Sequence, residues 1–208
     1  MISRYIPLVN TPLAIIFFIL LLITLLLSAG YTNASASDDQ IAILFTHDMH
    51  SQVEPATYSV DGTNQTLGGY ARLKTLIDQE KENYANTLVV DAGDFSMGTL
   101  FQSVYSQEAL ELRLMGLMGY QFTTLGNHEF DYRAEGLDGM LQAAKNSGDP
   151  IPEIVQSSIN WEGSTGAYST TLHQTFSDYG VKEYQIVQLG AYRAAIIGLM
   201  GKDADSFA

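Results

Sequence analysis

Three short stretches concentrate groups that bind cations and move protons. Asp48-Met49-His50 sets a carboxylate and an imidazole in alternate positions, and Asp91-Ala92-Gly93-Asp94 sets two carboxylates around a glycine. Gly126-Asn127-His128-Glu129-Phe130-Asp131 crowds an amide, an imidazole and two carboxylates into little more than one turn. Carboxylates mixed with imidazoles suit a borderline divalent ion such as Zn, Mn or Fe better than Mg alone or a thiolate-bound ion. In an extended chain Asp48 and His50 would point to the same side and could grip one ion. Asp94 carries two oxygens, enough to bridge two ions, and the Asn127 carbonyl is a neutral ligand. Paired ions about 3.5–4 Å apart clamp a phosphate and generate hydroxide at neutral pH. Taken singly, Asp-x-His and Gly-Asp are ordinary turn sequences. Three such clusters in this order, each behind an apolar run, read as a metal centre.

Those apolar runs are the elements that must position the clusters. Ile41–Thr46 (IAILFT), Thr87–Ala92 (TLVVDA) and QFTTLG, residues 121–126, have no helical spacing and read as buried strands. Between the first two, a polar loop rich in Gly, Asn and Pro extends to Leu67. GGYARLKTLIDQEKENY follows, with Leu73, Leu76 and Ile77 on one face of an amphipathic helix. Ser103–Gly119 and Gly136–Lys145 read as further helices. Glu153–Ile159, Tyr184–Leu189 and Tyr192–Met200 are strand-like, the last two forming a hairpin around Gly190-Ala191. Strands alternating with helices imply βαβ units, a mostly parallel sheet and an α/β fold. In such a sheet the loops at the carboxyl ends of neighbouring strands share one edge, where ligands bind. The three polar clusters all fall on that edge.

With 208 residues the chain is long enough to bury one sizeable core. Its net charge of -13, spread along the sequence, repels nucleic-acid backbones and anionic lipid, so neither is expected as a partner. Residues 1–36 are different in kind: Arg4 is their only charged side chain, the run LAIIFFILLLITLLL spans Leu13–Leu27, and Ala34-Ser35-Ala36 closes the segment. A basic start, an apolar centre and an A-x-A site describe a secretory signal peptide. Counted generously, Ile6–Leu27 would serve instead as an uncleaved anchor, the one expected membrane contact. Either way residues 37–208 are expected to be exported, to the cell envelope or beyond. The sequence contains no cysteine, so stability rests on the core or on ligands rather than on disulfides.

FTHDMHS, VVDAGDFSMGT and LGNHEFD resemble the first three motif blocks of the calcineurin-like metallophosphatases. The closest branch is that of the secreted 5′-nucleotidases and 2′,3′-cyclic phosphodiesterases, which GGYARL also resembles. The similarity runs from about Ile41 to Met200. It implies a β-sandwich flanked by helices, here incomplete, with the βαβ units carrying the site. It also implies two divalent ions, Mn, Zn, Fe or Co, and a small-molecule phosphoester substrate such as a nucleotide. Asp48 and His50 would hold the first ion, Asp94 would bridge both, and Asn127 would hold the second. His128 would not be a ligand but would face the phosphate, with Asp131 fixing its tautomer from the other ring nitrogen.

The neighbouring residues receive lesser roles. His47 is expected to point to the opposite side of the strand, toward packing or surface. Glu129 is expected to cap a helix or to support the ligands, and Asp91 to bond the loop backbone. His173 should face solvent, and Trp161 should lie in the core or at its rim. Ser51 stands where the family often has glycine.

Family members supply later histidines, in a Gly-His pair and then in Gly-His-x-His, and after His128 this chain has only His173. Residues 37–208 therefore read as the amino-terminal portion of a catalytic domain. Weak metal binding and little turnover are expected of the chain alone. The competing reading is a non-catalytic or decayed envelope-associated protein that keeps the scaffold for binding.

Overall fold

The computed structural model describes residues 40–201, apart from 164, 165 and 167. The expected leader at residues 1–36 lies outside the described residues, as does the end of the chain from 202 onward. No helix among the described residues is long and apolar enough to cross a membrane.

Four strands form one parallel sheet in the order β1-β4-β5-β6, with β1 at Ile41–Thr46, β4 at Asn86–Asp91, β5 at Phe122–Thr123 and β6 at Glu153–Ile154. Alternation along β4 divides its two faces. Val89 enters a large core beneath the helices, whereas Leu88 joins a smaller cluster with Phe122, Val155 and Leu189 on the other side. Leu189 belongs to an antiparallel hairpin, β7 (Tyr184–Leu189) and β8 (Tyr192–Ile197), which packs on that second face. The layers are therefore helices, parallel sheet and a second small sheet: an α/β sandwich.

Among the described residues five α-helices cover the first face: α1 (Tyr70–Asn83), α2 (Tyr105–Glu108), α3 (Leu110–Met118), α4 (Arg133–Asn146) and α5 (Ser169–Tyr179). Leu112, Met115, Leu137, Met140 and Leu141 lose all solvent contact there, each burial contributing ~1.5–3 kcal/mol. In α1, Ile77 is buried and Leu73 packs beside the core, but Leu76 is 54 % exposed and lies off the expected apolar stripe.

Several boundaries differ from the sequence reading. The polar loop before α1 contains a hairpin, β2 (Ala56–Val60) and β3 (Thr63–Leu67), turned by Asp61 and Gly62 at φ 51 and 75. That is the two-residue turn favoured by Asp-Gly, and the strands escape an apolar-pattern search because β3 is exposed throughout. The helix read over Ser103–Gly119 is broken: a 3-10 turn at Leu100–Val104 leads into α2, and left-handed Ala109 (φ 46) separates α2 from α3. Helix α5 forms where the sequence reading has no helix. His173 on it is exposed, as expected, but stacks on Trp161 at 4.6 Å, and Trp161 meets the core edge-on at Phe176.

Candidate metal centre

Beyond β1 the chain does not stay extended. Asp48, His50 and Ser51 adopt φ 48, 44 and 52, and Asp94 in the loop after β4 adopts φ 52. A left-handed residue with a side chain costs about 1–2 kcal/mol and persists where its surroundings over-determine it. Three backbone hydrogen bonds do so: Asp48 N–H to Gly93 O at 3.0 Å, His50 N–H to Asp94 O at 3.1 Å, and Ser51 N–H to Phe95 O at 2.8 Å. Asp48 and His50 therefore converge through a riveted left-handed turn, which corrects the expectation of an extended Asp-x-His.

The imidazole of His50 is oriented from behind. Its Nδ1 lies 2.9 Å from Met97 O and 3.1 Å from Ser96 O. Carbonyls only accept, so Nδ1 carries the proton and Nε2 keeps its lone pair for a cation. That Nε2 is 3.6 Å from Oδ1 of Asp48. The other Asp48 oxygen accepts from Nδ1 of His47, the main cause of a carboxyl held below its ordinary range. His47 is exposed as expected, yet it turns to Asp48 rather than away from it.

The second and third loops touch through glycines. A Cβ on Gly126 would stand 2.1 Å from Oδ1 of Asp94, and one on Gly93 (φ 91) would stand 2.6 Å from Gly126 N. The space so left lets His128 N–H donate to Oδ1 of Asp94 at 2.9 Å. Behind both loops, Glu129 is fully buried. Its Oε2 accepts from Asp94 N–H at 3.0 Å and Gly126 N–H at 2.7 Å, and its Oε1 from Ser96 N–H at 3.1 Å and Ser96 Oγ–H at 2.7 Å. Burial pushes this carboxyl up to about 7, opposed by the donors of Ser96 and Gly126. Glu129 thus joins the loops, a larger role than a helix cap. The available signal was its position three residues after Gly126, the spacing of a capping box.

Asp91 closes the strand ends. Its Oδ1 accepts from Gly93 N–H and Thr123 Oγ–H, both at 3.0 Å, and its Oδ2 from Thr46 Oγ–H at 2.7 Å. The expected bond to the loop backbone is present, and three strands are tied with it.

His128 begins a 3-10 turn, His128–Phe130, and its Nδ1 is 3.0 Å from Oδ2 of Asp131. That hydrogen bond is the chief cause of an imidazole pKa raised above its ordinary value. The ring meets His50 edge-on, with centroids 5.0 Å apart. Ligand atoms of His50, Asp94 and His128 all lie within 4.8 Å of one another. This set includes His128, which the family resemblance left out of the ligands, and reaches Asp48 through His50. Asn127 lies between the two backbone donors that reach Glu129 and Asp94, and its backbone carbonyl accepts from Phe130 N–H at 3.1 Å. His50 Nε2 and the Asp94 carboxylate, with the His128 imidazole within reach of both, form a donor set that fits a divalent ion of the Zn or Mn type.

The sequence and fold have counterparts among known proteins. The calcineurin-like phosphoesterase family profile matches residues 41–193. A snake venom 5′-nucleotidase of Gloydius brevicauda is 31 % identical over 188 residues, which is 89 % of this chain and 29 % of the relative. The crystal structure of a 5′-nucleotidase precursor from Thermus thermophilus superposes with a TM-score of 0.63 at 28 % identity, covering 78 % of this chain and 29 % of that one. An NAD nucleotidase of Haemophilus influenzae superposes with a TM-score of 0.64 at 26 % identity, covering 79 % and 27 %. The chain therefore spans under a third of the length of these relatives.

Proposed function

The chain belongs to the calcineurin-like phosphoesterase family, and from that premise we propose that it is, or forms part of, an exported metal-dependent phosphoester hydrolase acting on nucleotides. The observation that carries this reading is the meeting of His50, Asp94 and His128, whose ligand atoms lie within 4.8 Å of one another at the carboxyl edge of a parallel sheet. The names of the relatives support nucleotides as the substrate class. The leader pattern in residues 1–36 and the venom relative support export.

In this proposal Asp48, His50, Asp94 and Asn127 hold two divalent ions, with His128 within reach of the same centre. Bound there, the ions supply charge neutralisation for a phosphate and a nucleophile at neutral pH. The chain's own groups do the rest. Met97 O and Ser96 O keep the His50 proton on Nδ1, so Nε2 faces the ligand side. Asp131 does the same for His128 from its Nδ1 and favours its protonated form. A protonated His128 stabilises charge developing on phosphate oxygens and can give a proton to the leaving oxygen. Glu129 keeps the second and third loops at a fixed spacing while this occurs.

Release of inorganic phosphate from a nucleoside 5′-monophosphate, with and without added Mn or Zn, tests the reading. Even slow release should require the metal and vanish in Asp94→Ala and His128→Ala. Metal-dependent nucleotide binding without release would favour the non-catalytic reading. Absence of any metal-dependent nucleotide binding or release would contradict the hydrolase reading.

A further inference from the structure

We propose that Glu111 is a positioning residue for His50, acting through the hydroxyl of Ser51. The proposal rests on the metal-centre reading, in which His50 is a ligand. Glu111 lies outside all three polar clusters, in the first turn of α3, and is 1 % exposed among apolar neighbours such as Leu112 and Met115. A carboxyl so placed carries a large desolvation cost unless a specific bond offsets it. Its Oε1 accepts a 2.5 Å hydrogen bond from Ser51 Oγ–H, 60 residues away in sequence. Its Oε2 and the hydroxyl of Tyr70 are the buried side-chain polar atoms without a partner among the described residues. The carboxyl stands in the first turn of α3, where it also interacts with its own backbone N–H, and its side-chain hydrogen-bond donor is Ser51.

Ser51 explains why that bond matters. It is fully buried, sits at φ 52, and follows His50 at φ 44. Its N–H donates to Phe95 O at 2.8 Å and its carbonyl accepts from Thr99 Oγ–H at 2.7 Å. The side chain is therefore the third fixed point of a strained residue. Once released, Ser51 can relax toward negative φ, which turns the peptide shared with His50. The His50 ring then leaves the Ser96 and Met97 carbonyls that hold its tautomer. Glu111 touches neither ligand nor substrate, so its effect is wholly through this lever.

The test compares Ser51→Ala, Ser51→Gly and Glu111→Leu in the full chain. Glycine adopts this backbone without strain, so Ser51→Gly should behave like the parent. Ser51→Ala keeps the strain and loses the hydroxyl. Imidazole 15N shifts of the metal-free chain at about pH 8, above the ordinary histidine pKa of ~6.5, report the His50 tautomer directly. The parent and Ser51→Gly should show the Nδ1–H form, and Ser51→Ala and Glu111→Leu should lose it. Zn or Co affinity should fall ~10–100-fold in the latter two, the size expected for losing a group that orients a ligand. Unfolding midpoints in the same buffer separate a merely structural role. If Ser51→Ala keeps both the His50 signature and the affinity while only its midpoint falls, the proposal is overturned. Should Glu111→Leu fail to fold, Ser51→Ala decides alone. If the parent binds no metal, the metal reading fails, while the tautomer measurement still decides the role of Glu111.

Discussion

Oδ1 of Asp94 accepts the backbone N–H of His128 at 2.9 Å, so the carboxylate of the second loop and the imidazole-bearing turn of the third are spaced by a direct bond. That bond exists because residue 126 has no side chain. Alanine at 126 would put a methyl carbon 2.1 Å from the same oxygen. Gly126→Ala should therefore displace Asp94, lower Zn affinity at least ~10-fold and destabilise the fold by about 1–3 kcal/mol, as overpacking does. Isothermal titration and urea unfolding read the two effects separately. Unchanged affinity would show that the Asp94 position does not govern binding.

Glu129 should be the most stability-sensitive polar residue of the site. Glu129→Ala strips the acceptor from the part-buried N–H groups of Asp94 and Gly126 and from both buried donors of Ser96. Each buried donor left unpaired costs about 1–3 kcal/mol, and several kcal/mol in total are expected to be lost. Ser96→Ala removes the hydroxyl donor alone, so denaturant curves should rank it far milder. Equal losses for the two variants would contradict the joining role given to Glu129.

How much of this was legible in the sequence follows from which forces are local. Strands β1, β4 and β5 were readable because continuous apolar runs end abruptly in polar residues, and sheet topology then brings those ends together. The turn at Asp48–Ser51 was not readable. Its left-handed backbone is imposed by Gly93, Asp94 and Phe95, some forty residues away along the chain. Hairpin β2–β3 carried only the Asp61-Gly62 signal, and its exposed strands lack an apolar face. The break at Ala109 has no glycine or proline to announce it. Likewise, the Ser51–Glu111 bond joins residues that no local pattern pairs.

Asp91 sets a pH dependence with a definite sign. Burial, opposed by bonds from Thr46, Gly93 and Thr123, pushes its carboxyl from 3.8 up to about 6. Between those values the folded chain holds more protons than the unfolded one, so stability falls as pH rises through the window and levels off above it. Burial raises Glu129 and Glu111 as well, which adds to the same slope. In metal-free buffer the unfolding free energy should decline from about pH 4 toward 6, and Asp91→Asn should flatten the curve by an amount on the order of 1–3 kcal/mol. A parent curve that rises across the window would contradict the assignment.

Leu189 tests the layer arrangement apart from the site. It is 6 % exposed and packs with Leu88, Phe122 and Val155 on the face of the sheet opposite the helices. Leu189→Ala should cost about 2–5 kcal/mol by thermal or urea unfolding. The His50 imidazole signals should stay unchanged, because the helix-side core and the loops are separate from it.

Crystals of the chain soaked in Zn and measured across the zinc absorption edge bear most directly on the claim that three loops build one metal centre. An anomalous peak is expected within ~2.0–2.2 Å of His50 Nε2 and of an Asp94 carboxylate oxygen, the distances usual for zinc. It should disappear in Asp94→Ala. Zinc bound only elsewhere on the surface, or at these loops without His50 and Asp94, would contradict the claim.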